Sequence, residues 1–185
     1  MFKKIRIKIG ESILRRKLRN RKRSRCMHDF RSAQMIGVLF KTDNLHDFQV
    51  VKNFLHYLRE LDSKVIALCY IDSKKIPDYY LLVKGFNFFT RKTVNLFYIP
   101  THPLVNDFIE QPLDMLIDLS IDDVFSIHYI GILSKAKFKI GMRQKRLEKY
   151  YDLMIDIGKD KTINNLIENI KTYIPILAGN EKVMQ

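Results

Sequence analysis

The sequence predicts an α/β fold: a Rossmann-like, mostly parallel sheet of about six strands covered by helices, with a basic N-terminal helical arm. Three observations lead to it. From Met35 onward, short apolar runs alternate with longer segments whose apolar residues recur every three or four positions, the pattern of a parallel sheet with crossover helices. The strand-like runs are apolar almost throughout, as strands covered on both faces require. Finally, 12 of the 33 Lys and Arg residues fall within positions 1–25 against one acid, Glu11, so this segment is +11 while the rest of the chain nets only +2. The chain divides into a basic arm (1–33), an α/β domain (34–178) and a C-terminal tail (179–185).

The elements follow in order. Met35–Lys41 (MIGVLFK) is a buried strand. Asp43 and Asn44 offer cap oxygens, and Leu45, Phe48, Val51, Leu55, Leu58 and Leu61 form one apolar face of a helix over 45–62. Lys64–Ile71 is a second strand, closed by Asp72 and Ser73. The stretch 76–83 is ambiguous and reads as a short helix ended by Gly85. Two strand-like pieces follow, Phe86–Phe89 and Val94–Ile99. A short helix is expected at 104–110, a fourth strand at Leu113–Leu119, a helix over 124–136, a fifth strand at Phe138–Met142 and a sixth at Tyr151–Ile157. Thr162 caps a last helix whose face is Ile163, Leu166, Ile167, Ile170, Tyr173, Ile174 and Leu177. Right-handed crossovers then favour a Rossmann-like order with the Met35 strand central.

Ligands of open α/β sheets sit beyond the carboxyl ends of the strands. Thr42, Asp43, Ser120 and Asp122 are therefore the crevice candidates, with a plainer account as helix caps and turn formers. The first strand leaves through Lys41-Thr42-Asp43 without glycine, so neither a dinucleotide fingerprint nor a Walker A loop is present. Two cysteines, Cys26 and Cys69, give no disulfide framework or zinc spacing, and the five histidines make no recognisable metal set. Asp114 with Asp118, and Asp152 with Asp156, resemble carboxylate pairs but read better as markers of strand starts and ends. No catalytic residue, metal or cofactor is expected.

Residues 114–141 read Asp-Met-Leu-Ile-Asp-Leu, an apolar helix, then Leu133-Ser-Lys-Ala-Lys-Phe-Lys-Ile-Gly141. This resembles the acceptor-side half of the heptosyltransferases, where a D-x-x-I-D-L strand precedes a helix and an A-x-x-x-I-G strand. The resemblance implies a Rossmann-like fold. Those enzymes carry Gly-Asp at the turn after the first strand, here Thr42-Asp43, and use a second α/β domain for the nucleotide sugar. The expectation is thus against a transferase acting alone, leaving a sugar-transferase-like enzyme or pseudo-enzyme without a donor domain as a further alternative. The layout, with its PLDMLIDLS and AKFKIGM segments, also resembles a small Bacteroidota family without a known role.

The arm calls for an anionic partner. Arg15, Arg16, Lys17, Arg19, Arg21, Lys22, Arg23 and Arg25 suit phosphate, since guanidinium forks grip it bidentately. RNA, with ribosome association, is the favoured partner; such arms commonly order only on RNA. The alternative is an anionic membrane surface: Phe2, Ile5, Ile9 and Ile13 are spaced as an apolar stripe on a basic helix. A solvated tail with nonspecific adhesion is the third possibility. If helical throughout, 25 residues would extend roughly 37 Å. No run approaches the ~20 apolar residues of a membrane span, and no apolar segment follows the N-terminal charges as in a secretory signal. A cytoplasmic, non-catalytic binding protein is expected, or one lying peripherally on the inner membrane surface.

Overall fold

The computed structural model describes residues 2–183. Its six strands form one all-parallel sheet in the order β3-β2-β1-β4-β5-β6: β1 Met35–Lys41, β2 Lys64–Ile71, β3 Phe86–Thr90, β4 Met115–Asp118, β5 Phe138–Met142 and β6 Leu153–Ile155. The β1 strand is central, between β2 and β4, and the chain order reverses between β1 and β4. The helices are α1 Phe2–Leu18, α2 Leu45–Glu60, α3 Asp78–Leu81, α4 Pro103–Glu110, α5 Phe125–Leu133 and α6 Ile163–Val183.

Both faces of the sheet are covered, and side-chain alternation shows how. Ile36, Val38 and Phe40 of β1, with Ala67 and Cys69 of β2 and Ile117 of β4, enter a core shared with α2 and α6. Leu39, Leu68 and Leu116 point the other way, into a core shared with α4 and α5. Gly37 is required on that second face because a Cβ would lie 2.4 Å from Leu113 Cδ1. Asn44 caps α2, its Oδ1 accepting from Asp47 N at 2.8 Å, and Thr162 Oγ1 accepts from Asn165 N at the start of α6.

Three expectations change. Val94–Ile99 is not a strand: after β3 the chain takes a 3-10 turn at Arg91–Thr93, and Val94 makes one antiparallel bridge to Pro100. The Asn95 side chain folds this segment into a loop by accepting from Phe97 N and Ile99 N. Strands β4 and β6 are shorter than their apolar runs, because Leu113 and Tyr151 pack into the core without joining the ladder. The last helix continues to Val183, into the expected tail; residues 184–185 lie outside the described residues.

The arm is helical only to Leu18, not over 25 residues, and it is docked. All nine residues of α5 are buried, as a helix apolar on every side must be. The sheet covers one side of α5 and α1 covers another. Gly10 and Leu14 are the buried residues of α1, with Ile7, Ile13 and Leu18 packed partly against the same core. A Cβ on Gly10 would meet Phe97 O at 2.5 Å and Phe125 Cε1 at 2.7 Å, so the contact requires glycine. Residues 19–34 then wrap the amino ends of the strands: Cys26 N donates to Lys137 O. Phe30 reaches the opposite core, its ring edge-on to Phe54 and Tyr57.

Candidate functional site: the arm and the carboxyl edge of the sheet

The arm divides by contact, not simply by sequence halves. The face of α1 opposite its docked residues carries Phe2, Ile5 and Ile9, which are 79%, 49% and 41% exposed. Lys4, Arg6, Lys8 and Arg16 of the same helix are exposed, while Lys3 lies 5.9 Å over the Tyr98 ring. Ile13, the fourth member of the expected stripe, is half-buried and belongs to the docked side. Nearby, the 95–98 loop that Gly10 touches exposes Leu96.

The Arg/Lys run is not uniformly free. Arg23 makes a two-pronged ion pair with Asp152, 2.6 and 2.7 Å, and also donates to Ala136 O. Arg21 pairs with Glu110 at 2.6 Å, and Arg25 lies 3.6 Å from Asp152. Lys17 sits 5.6 Å over the Tyr129 ring. Arg15, Arg16, Arg19 and Lys22 are exposed. Of the eight residues read as phosphate-facing, Arg21 and Arg23 therefore hold the arm to the domain.

At the carboxyl edge, two of the four crevice candidates, Asp43 and Asp122, come together around one cation. Lys41 Nζ lies 2.5 Å from Asp43 and 2.9 Å from Asp122, bridging the ends of β1 and β4. Burial works against this ammonium, but the two carboxylates outweigh it and raise its pKa. Thr42 is buried and donates to Asn44 O at 2.8 Å, which makes it part of the turn into α2. Ser120 is buried, its N–H donating to Asp118 Oδ1 while its hydroxyl has no partner. The switch point between β1 and β4 is thus crossed by an ion pair.

Beyond it, over the ends of β5 and β6, a cleft of about 530 Å³ is lined by Asp123, Arg143, Gln144, Lys145, Arg146 and Lys161 among others. Arg146 also reaches Glu11 of α1 at 2.9 Å. Fully buried His128 has Nδ1 3.4 Å from Asp123 Oδ1; burial lowers its pKa, against the pull of Asp118 and Asp123. Lys161, far along the chain from the basic turn at 143–146, joins it only through the fold.

The aspartate pairs prove structural. Asp114 Oδ2 accepts from Gln34 N and Met35 N, both at 3.0 Å, fixing the start of β1. Asp156 Oδ1 accepts from Gly158 N in the turn after β6.

Among solved structures, the chain is similar to E. coli heptosyltransferase WaaC with ADP, at 12% identity and a TM-score of 0.51, covering 76% of this chain and 46% of that one. It is also similar to the family 9 glycosyl transferase from Veillonella parvula DSM 2008, at 15% identity and a TM-score of 0.47, covering 80% and 43%. The chain thus spans less than half the length of either, and the likeness concerns the fold. No curated protein matches the chain. A family model described as a family of unknown function, DUF6913, matches residues 6–177 and so takes in most of α1 as well as the sheet.

Proposed function

The chain belongs to the DUF6913 family, and from that premise we propose that it is a non-catalytic peripheral protein held on an anionic membrane surface by α1. The observation that carries this reading is the outward row of Phe2, Ile5 and Ile9 on a helix whose opposite face is already docked. A soluble helix has no need of apolar residues on both sides. Such a stripe between Lys and Arg side chains suits the boundary of headgroups and acyl chains, where each nearby cation contributes about 1 kcal/mol against an anionic leaflet. Among the described residues no helix is long and apolar enough to cross a membrane. RNA binding through the arm has less support, because Arg21 and Arg23 are held by Glu110 and Asp152.

The test is flotation of the purified protein on vesicles containing phosphatidylglycerol, and on neutral vesicles. Binding to the first, and its loss in Ile5→Asp with Ile9→Asp, is the expected result. Normal flotation of the double variant would sink the membrane reading. Salt-sensitive binding of purified RNA that the double variant retains would return the arm to nucleic acid.

A second reading, ligand binding of a sugar-transferase-like kind, rests on the 530 Å³ basic cleft at the carboxyl edge, where open α/β sheets hold ligands. A nucleotide sugar that raises the melting temperature would support it, provided the rise is lost in Arg143→Ala with Lys161→Ala.

A further inference from the structure

At the opposite, amino edge of the sheet a smaller pocket of about 130 Å³ lies where the arm crosses the end of α5 and the start of β5. The arm supplies Arg21, Lys22, Arg23 and Arg25, and the domain supplies Lys135, Lys139 and Lys149. None of the residues lining it is acidic. Two carboxylates reach these cations from outside: Asp152 holds Arg23 and lies near Arg25, and Glu110 holds Arg21 and Lys135. Seven cations against two anions is a repulsive arrangement that a bound anion would relieve.

Two donors point to such an anion independently of charge counting. Arg21 Nε is buried without a hydrogen-bond partner, and buried donors in native folds are ordinarily satisfied. Lys139 is only 2% exposed, and its ammonium donates to Ile132 O at 2.9 Å, which leaves capacity for further bonds. That bond also covers a carbonyl of the last turn of α5 that would otherwise repel an anion. Pockets for whole small molecules run to roughly 300–1,000 Å³, so this one fits a single tetrahedral group with its substituent outside.

We propose that the pocket is a receptor for one dianionic phosphoryl group, such as the terminal phosphate of a phosphomonoester, for which free sulfate is a stand-in of the same shape and charge, bound by Lys139, Arg21 Nε and the surrounding lysines. The site does not depend on the membrane reading. Its affinity depends on pH through Lys139. Burial lowers that lysine's pKa to about 7, Arg23, Arg21 and Arg25 act in the same direction, and Asp152 opposes. Lys22, Lys135, Lys149 and Tyr150 complete the ionisable groups around it.

The experiment is calorimetric titration of the full chain with sulfate against chloride at matched ionic strength, at pH 6, 7 and 8. Sulfate keeps its charge over this range, so any pH dependence belongs to the protein. Expected are specific sulfate binding, weakening about tenfold from pH 6 to pH 8 as Lys139 deprotonates, and loss of that pH dependence in Lys139→Met. If Lys139→Met fails to fold, Lys22→Ala with Lys149→Ala, both exposed positions, should weaken binding about tenfold. Sulfate heats indistinguishable from chloride, or sulfate binding untouched by every folded variant, would overturn the proposal. Inorganic phosphate and a short-chain phosphatidic acid then separate the sources: equal affinity assigns the site to the phosphate alone, and tighter lipid binding assigns it to a headgroup.

Discussion

Tyr151 donates its hydroxyl proton to Asp118 Oδ2 across 2.6 Å, with both residues buried on the α5 face of the sheet. Asp118 ends β4, and Tyr151 crosses over Gly141 of β5 to reach it. A Cβ on Gly141 would lie 2.9 Å from Tyr151 Cε1, and one on Gly131 of α5 only 2.0 Å from its hydroxyl. Two glycines, from a strand and a helix, thus make room for one phenol.

The burial of Asp118 makes stability depend on pH in a definite sense. Burial raises the pKa of Asp118, against the bonds from Tyr151 and Ser120 that lower it. With the folded value above the unfolded one, the native state binds more protons between the two. The contribution of Asp118 is therefore fully present below the ordinary carboxylate range and is lost as pH rises through the raised folded value. Asp118→Asn should remove that loss, so that in urea melts at several pH values its stability falls less than that of the wild type as pH rises above the ordinary carboxylate range. An unchanged pH slope would contradict this.

Gly131→Ala should destabilise the domain by about 1–3 kcal/mol through overpacking. Tyr151→Phe should cost about 1–3 kcal/mol on its own by leaving a buried carboxyl without its donor. Combined, the two should cost less than their sum, because removing the hydroxyl vacates the space the new methyl needs. A double-mutant cycle with no coupling would refute the close approach.

Gly10→Val should lift α1 from α5, since the new side chain would collide with Phe97 O and the Phe125 ring. Hydrogen exchange of the α1 amides should be much faster than in the parent, and the uncovered face of α5 should bind a hydrophobic dye. Equal protection in both proteins would mean that the docking is not held by this contact.

Arg23→Ala should cost about 3 kcal/mol, because it leaves Asp152 without its two-pronged partner in a nearly buried site. Lys22→Ala, one residue away and exposed, should leave the melting midpoint almost unchanged. Similar losses for the two would show that the basic run acts through net charge and not through this pair.

Much of the fold was legible in the sequence. β1, β2 and β5 begin and end where their apolar runs do, since strands buried on both faces leave an unbroken signal. Val94–Ile99 misled because Asn95 turns its chain with side-chain hydrogen bonds, which apolar composition does not register. The candidate sites were less legible. Thr42, Asp43 and Asp122 lie at strand ends, but the ion pairing of Asp43 and Asp122 through Lys41 depends on the juxtaposition of β1 and β4. The docking of the arm did leave one trace: the α5 sequence, FSIHYIGIL, is apolar on every side and needs a second cover. Charge dominated the reading of the arm, and the small Gly10 between Ile7 and Leu14 was the sign of close helix contact.

The strap around the amino edge also sets an order of events. Arg23 and Asp152 stand 129 residues apart in the chain, so at 5–20 residues per second the arm leaves the ribosome roughly ten seconds before its carboxylate partner is made. Throughout that interval Arg23 lacks its carboxylate, although Glu110, the partner of Arg21, is made before Asp152. Closure of the strap through this pair therefore cannot precede the synthesis of Asp152, so the two ends of the domain are joined only once nearly the whole sheet has been made.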